Sequence, residues 1–141
     1  MAHQYSATAS IDPESLVTLE IDGLASMQSG PPKEFGGSGE QWSPEDLLVA
    51  AVADCFSLSF KAIATASKFP WTSLSCSATG TLDKVERSMQ FTAVTIKASL
   101  TVPQDADIER AKALLEKSEK VCFITNSLKA EKTLEIEVTA S

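Results

Sequence analysis

The alternation of apolar and polar positions divides the chain into a short series of elements. Near the start, Val17, Leu19 and Ile21 fall on one side of an extended segment, with Thr18 and Glu20 on the other. This is the period-two pattern of a half-buried strand. Turn residues flank it, Asp12-Pro13 before and Asp22-Gly23 after, so residues 1–28 are expected to form one or two hairpins. The stretch QSGPPKEFGGSGEQW follows, about 15 residues rich in Gly, Pro and Ser. Loops of that length inside a domain are usually functional or disordered.

From Ser43 to about Lys68 the pattern turns helical and is apolar nearly all round. Ser43 suits the N-cap, Pro44 the first helical position, and Asp46 the third. The acids Glu45 and Asp46 favour the positive end of the helix dipole, and Phe69-Pro70 ends the run. Such a helix belongs in an interior. The segments WTSLSCSATGTLD and FTAVTIKASLTV then predict two strands joined as a hairpin through KVERSM. Their inward faces carry Leu74, Cys76, Ala78 and Leu82, and Val94, Ile96, Ala98, Leu100 and Val102. In PQDADIERAKALLEKSEKVC, the residues Ile108, Ala111, Leu115 and Ser118 form one stripe of an amphipathic helix, which Cys122 continues. A last strand, KTLEIEVTA, places Leu134, Ile136 and Val138 inside.

This order predicts an α+β fold with a mostly antiparallel sheet packed around a long buried central helix. With no repeat and no linker, a single domain over residues 1–141 is expected. A helix apolar on every side needs cover on every side, and one sheet with one further helix supplies only part of it. An intertwined homodimer, its two long helices meeting in a shared core, is therefore expected.

Composition narrows the range of partners. Hydrophobic residues make up 43% of the chain and the formal net charge is −7, with the 12 Lys and Arg scattered. An acidic surface disfavours nucleic acid and anionic membranes. No charge-free apolar run reaches the roughly 18 residues of a membrane span, and no basic-then-apolar leader opens the chain. A cytoplasmic setting without a membrane partner is the expectation. The three cysteines, Cys55, Cys76 and Cys122, are odd in number and widely spaced, which is not a disulfide framework. No pair has zinc-site spacing, and the one histidine is His3, so no metal is expected.

Buried cysteines are usually small inert hydrophobes, because burial raises the thiol pKa. Cys76, on the inward face of a strand, fits that description. Cys55 lies three turns into its helix, beyond strong help from the helix N-terminus and next to Asp54, and on these grounds alone it reads as core rather than reactive. Cys122, at a helix end before FITNS and in reach of loops, is open to either a core or a reactive reading.

Two motifs carry a resemblance. SPEDLLVAAVADCFSLSF resembles the helix signature of the OsmC/Ohr family of osmotically inducible and organic hydroperoxide resistance proteins. KVCFITNSLKAEKTLEIEV is similar to its second motif, 67 residues on from cysteine to cysteine. The resemblance implies an OsmC-like fold, an α+β dimer whose sheets wrap around two central helices. It implies thiol peroxidase activity on organic hydroperoxides or other small apolar substrates, an antioxidant role in oxidative stress. Cys55 would be the peroxidatic thiolate and Cys122 the resolving thiol, with a dithiol as reductant and no cofactor. The family holds its thiolate with an arginine from the loop before the helix, itself held by the helix-start glutamate. Glu45 matches that glutamate, but ten residues separate it from Cys55, about 15 Å along one helix. It would act through the bridge or from the partner chain. The arginine has no match: the chain has only Arg87 and Arg110, and the cation before Glu45 is Lys33. Lysine offers charge without a planar fork of donors. Phe35, Trp42, Phe56, Phe60 and Phe123 are candidates to line an apolar pocket. The missing arginine keeps two rivals open. One is a non-catalytic OsmC-like protein binding a small apolar ligand at the dimer interface, or sensing redox state. The other is a plain structural module.

Overall fold

In the computed structural model, which describes residues 2–141, three short strands form an antiparallel sheet in chain order: β1 (Thr8–Ser10), β2 (Val17–Glu20) and β3 (Met27–Ser29). Val17 and Leu19 are half-buried as the alternation predicts, whereas Ile21 is exposed. The strand ends at Glu20, and the Ile21 carbonyl accepts from Leu24 N–H to open the turn. The Gly/Pro-rich segment after β3 is an ordered excursion. It contains one 3-10 turn, Lys33–Phe35, closed by Gly36 in the left-handed region at φ 95°. A Cβ at Gly37 would meet the Pro31 carbonyl oxygen at 1.8 Å, so only glycine fits there. The ends of the excursion meet where Gly30 N–H donates to the Trp42 carbonyl, 3.0 Å.

Helix α1 (Pro44–Ala66) starts as the sequence predicts. Ser43 Oγ accepts from Asp46 N–H, and Asp46 Oδ2 accepts from Ser43 N–H, a reciprocal capping pair. It stops two residues before the expected Lys68, which adopts φ 53°. Phe69 N–H donates to Ala64 O and Lys68 N–H to Thr65 O. That is the six-to-one and five-to-two pattern of a Schellman ending, with lysine where glycine is usual.

By contacts the chain divides into two units, Met1–Leu48 and Val49–Ser141. The second is built on three strands in the order β4 (Ser73–Val85), β5 (Ser88–Val102), β6 (Glu131–Ala140). β4 and β5 form the expected hairpin, but its turn is only Glu86-Arg87, with Glu86 at φ 59°. β6 joins β5 in parallel, from Ala93↔Glu131 to Val102↔Ala140. Parallel neighbours require a crossover, supplied here by α2 (Ile108–Lys120) and the short α3 (Phe123–Asn126). Val94, Ile96, Ala98, Leu100 and Val102 of the central strand are all buried, as their alternation predicts. They pack with Val52, Phe56, Phe60 and Ala64 of α1 and with Ala111, Leu114 and Leu115 of α2. Contact is close enough that a Cβ at Gly80 would sit 2.7 Å from Phe91 and 3.0 Å from Val49.

Within one chain α1 is covered only in part, as expected from one sheet and one further helix. Its covered positions recur every four residues as a single stripe, and Leu58 on another face is 61% exposed. By length and composition α1 would also serve as a membrane span, although Asp54 and Lys61 interrupt its apolar run. One expectation needs correction: Cys122 does not continue α2. α2 ends at Lys120, and Cys122 takes the N-cap position of α3.

Candidate functional site

Cys55 stands in the middle of α1 and is half-buried. Phe56, the next residue, is turned by about 100° and points into the core. The residues that share the side of Cys55 are its helical neighbours at four before and three, four and seven after: Ala51, Leu58, Ser59 and Ala62. Together with Asp54 and Ile63 they form one wall of a cleft of about 510 Å³, and Val121, Phe123 and Ile124 form the other. Apart from Asp54, Cys55 and Ser59, the lining carries aliphatic and aromatic side chains only.

The crossover places Cys122 against this wall. It is fully buried, and its thiol is within hydrogen-bonding reach of Cys55. The two sulfurs titrate in opposite directions. Burial acts to raise the pKa of Cys55. Donation from Ile124 N–H, the Cys122 thiol, Phe123 N–H and the Ser59 hydroxyl outweighs it, so the pKa is lowered. Burial raises that of Cys122. Donors from Thr125 offset this in part, while the hydrogen bond to Cys55 and its negative charge add to the rise. Cys55 is the sulfur that ionises first, and Cys122 stays protonated and donates to it. Cys76 projects inward from β4 beside Leu74 and Ala78. Burial raises its pKa, partly offset by the Ser57 hydroxyl and reinforced by Cys122 nearby.

The other expected site residues fall in different places. Of the five aromatics, Phe123 lines the cleft. Phe56 and Phe60 do not; both are fully buried in the core, where Phe60 meets Trp71 edge to face at 5.3 Å. Their spacing of four puts them together on the sheet-facing stripe of α1. Phe35 and Trp42 belong to the first unit and are 59% and 52% exposed there. Lys33, also in that unit, is exposed, with its stem beside Gly39. Glu45 lies in the first turn of α1. Its Oε1 is shut off from solvent and has no hydrogen-bond partner among the described residues. Arg110 is engaged elsewhere: Nη2 donates to Ser67 O at 2.8 Å and the guanidinium lies 5.6 Å over the Phe69 ring. Ser67 is twelve residues beyond Cys55, about 18 Å along the helix.

What the sequence reading missed is the donor set. Backbone N–H groups from the start of α3 lower the Cys55 pKa. α3 is a single turn with no periodicity to announce it. Leu58, Ser59 and Ala62 were accessible in principle from helical spacing around Cys55. Val121 and Ile124 were not, because nothing in the sequence brings residue 122 to residue 55.

Comparison with known proteins supplies the context. Residues 37–137 match the family model described as OsmC-like protein. Over 96 residues the chain is 31% identical to the peroxiredoxin OsmC of Escherichia coli, covering 68% of this chain and 66% of that protein, just under two thirds of its length. A solved OsmC-like protein of unknown function from Vibrio cholerae superposes with a TM-score of 0.84 at 21% identity, over 96% of this chain and 99% of the other. An organic hydroperoxide resistance protein from Elizabethkingia anophelis does so with a TM-score of 0.79 at 22% identity, over 100% and 99%. The likeness covers both sheets, the long helix and the crossover that carries the second sulfur, and the chain belongs to the OsmC family, with its α+β fold.

Proposed function

We propose that the protein is a thiol-dependent peroxidase that reduces organic hydroperoxides. One observation carries this reading: Cys55, its thiol pKa lowered, lines an apolar cleft with the Cys122 thiol beside it. The Cys55 thiolate attacks the terminal peroxide oxygen. The O–O bond breaks, the alkoxide takes a proton and leaves as the alcohol, and the sulfur is oxidised to sulfenic acid. Cys122 then attacks that sulfur. The S–S bond forms, and hydroxide leaves as water with the thiol's proton. An external dithiol reduces the disulfide by exchange and closes the cycle, which suits a reducing cytoplasmic setting. The peroxiredoxin name of the E. coli relative supports the same chemistry.

The working unit in this reading is a homodimer, supported by the exposed apolar face of α1. The orphaned Glu45 Oε1 would find its donor from the second copy. Lys33 would add positive charge, and Phe35 and Trp42 apolar cover, at a site completed by that copy.

The test is turnover of tert-butyl hydroperoxide with dithiothreitol. Cys55→Ser should fall to the uncatalysed rate. With no dithiothreitol present, Cys122→Ser should consume about one equivalent of peroxide and stop at the sulfenic acid, where the wild type forms the intramolecular disulfide. Full turnover by Cys55→Ser overturns the proposal. A second reading, a ligand-binding or redox-sensing protein, draws on Arg110 being held at the far end of α1. It expects oxidation of the wild type once, with no cycle.

A further inference from the structure

Beside the two sulfurs stands a buried polar side chain to which the steps above give no role, Thr125. It is three residues past Cys122, the N-cap of α3, and groups at that spacing across a helix start face one another. Thr125 Oγ1 donates to the Cys122 carbonyl at 3.2 Å and is also within hydrogen-bonding reach of the Cys122 sulfur. One hydroxyl proton serves one acceptor at a time, but it rotates to suit. The carbonyl does not depend on it, because it also accepts from Asn126 N–H at 3.0 Å. Cys122 and Thr125 are both 0% exposed within one chain, so the pair does not depend on what covers α1.

The demand on this hydroxyl changes as Cys55 is oxidised. While Cys55 is a thiolate, Cys122 keeps its proton and donates to it. Oxidation removes that negative charge, and Cys122 must then lose its own proton, since the thiolate is the nucleophile. A buried thiolate needs donors. The other titratable groups facing Cys122 are Cys55 on α1 and Cys76 on β4, and neither is a cation. The donors at hand are the hydroxyl and N–H of Thr125.

We propose that Thr125 activates Cys122 for disulfide closure, its hydroxyl turning from the Cys122 carbonyl to the sulfur as the thiol gives up its proton. The place of this step in a catalytic cycle rests on the peroxidase reading above. Closure itself is open to test without peroxide.

The experiment adds dithiodipyridine to the reduced full-length protein. Cys55 attacks one sulfur of the probe, the probe's S–S bond breaks, and one thiopyridone leaves. Cys122 then attacks the Cys55 sulfur, the mixed disulfide breaks, and a second thiopyridone leaves with the proton that Cys122 has lost. Stopped-flow absorbance follows both phases against pH, and mass spectrometry locates the Cys55–Cys122 bond. Thr125→Val, which keeps the shape and removes the hydroxyl, should slow the second phase about tenfold near neutral pH. It should also displace that phase's pH profile upward and leave the first phase unmoved. Thr125→Ser should restore most of the rate. An unmoved second phase in Thr125→Val overturns the proposal, as does a first phase slowed equally or a wild type without a second phase. Thr125→Ser and Thr125→Ala differ in the hydroxyl alone, so equal second phases in that pair overturn it even where Thr125→Val does not fold. A chain that closes its disulfide through Thr125 yet turns over no peroxide would retain this inference and lose the peroxidase reading.

Discussion

A set of hydrogen-bond donors decides which of two sulfurs is the nucleophile. Cys55 and Cys122 share the same apolar surroundings, and burial pushes both thiols upward. Only Cys55 also receives N–H groups from Ile124 and Phe123, and its pKa is lowered. Alkylation should therefore reach Cys55 at a pH where Cys76 and Cys122 are still protonated. Rate against pH for each cysteine, read by mass spectrometry, checks this. Cys122→Ala removes one donor and should move the Cys55 profile to higher pH; an unmoved profile would rule out the thiol–thiolate contact. The signs for stability follow from the same shifts. Cys55, with its folded pKa lowered, contributes stability that is present above the unfolded thiol pKa and lost as pH falls through the folded one. Cys122, with its folded pKa raised, contributes stability that is present below the unfolded value and lost as pH climbs through the folded one. Denaturant midpoints of the wild type should rise with pH between the folded and unfolded Cys55 pKa values, and Cys55→Ser should lose that rise. The cysteine identities were legible from the two motifs. Their donors were not, since they are backbone groups of a turn whose side chains say nothing of it.

At the scale of elements, the long helix shows local signals and tertiary packing in agreement. Its start is written in Ser43 and Asp46, and the reciprocal pair forms as read. Asp46→Ala should cost about 1 kcal/mol in chemical denaturation. Its end carries an avoidable strain, because Lys68 holds the left-handed position of the closing motif. Lys68→Gly should raise stability by up to about 1 kcal/mol, the relief of that conformation being partly offset by the freer unfolded chain. A loss on that substitution would show that the lysine side chain contributes there. Phe60→Ala, which empties the centre of the sheet-facing stripe, should cost about 3–5 kcal/mol. The strands were legible because alternation on β5 and β6 is nearly uninterrupted. The parallel pairing of β6 was not, because its inward residues would have served equally well in an antiparallel strand.

For the whole molecule, the surface left uncovered on α1 speaks most clearly about assembly. One stripe of that helix is buried in its own chain, and Leu58 stands 61% exposed on another face. The apolar-all-round pattern expected from the sequence is thus accounted for only in part by a single copy. If a second copy supplies the rest, Leu58→Lys should shift the protein toward monomer in sedimentation velocity at micromolar concentration, and wild type should sediment as a dimer under the same conditions. A monomeric wild type would exclude the homodimer. The crossover between β5 and β6 has a further consequence, one of timing. Cys55 emerges from the ribosome well before Cys122, and the segment bearing the latter is fixed only when β6 has docked beside β5. A nascent chain therefore carries an unpartnered first sulfur while the residues from 56 to 121 are added. Until α3 and β6 are in place, that sulfur lacks the backbone donors that lower its pKa in the folded chain.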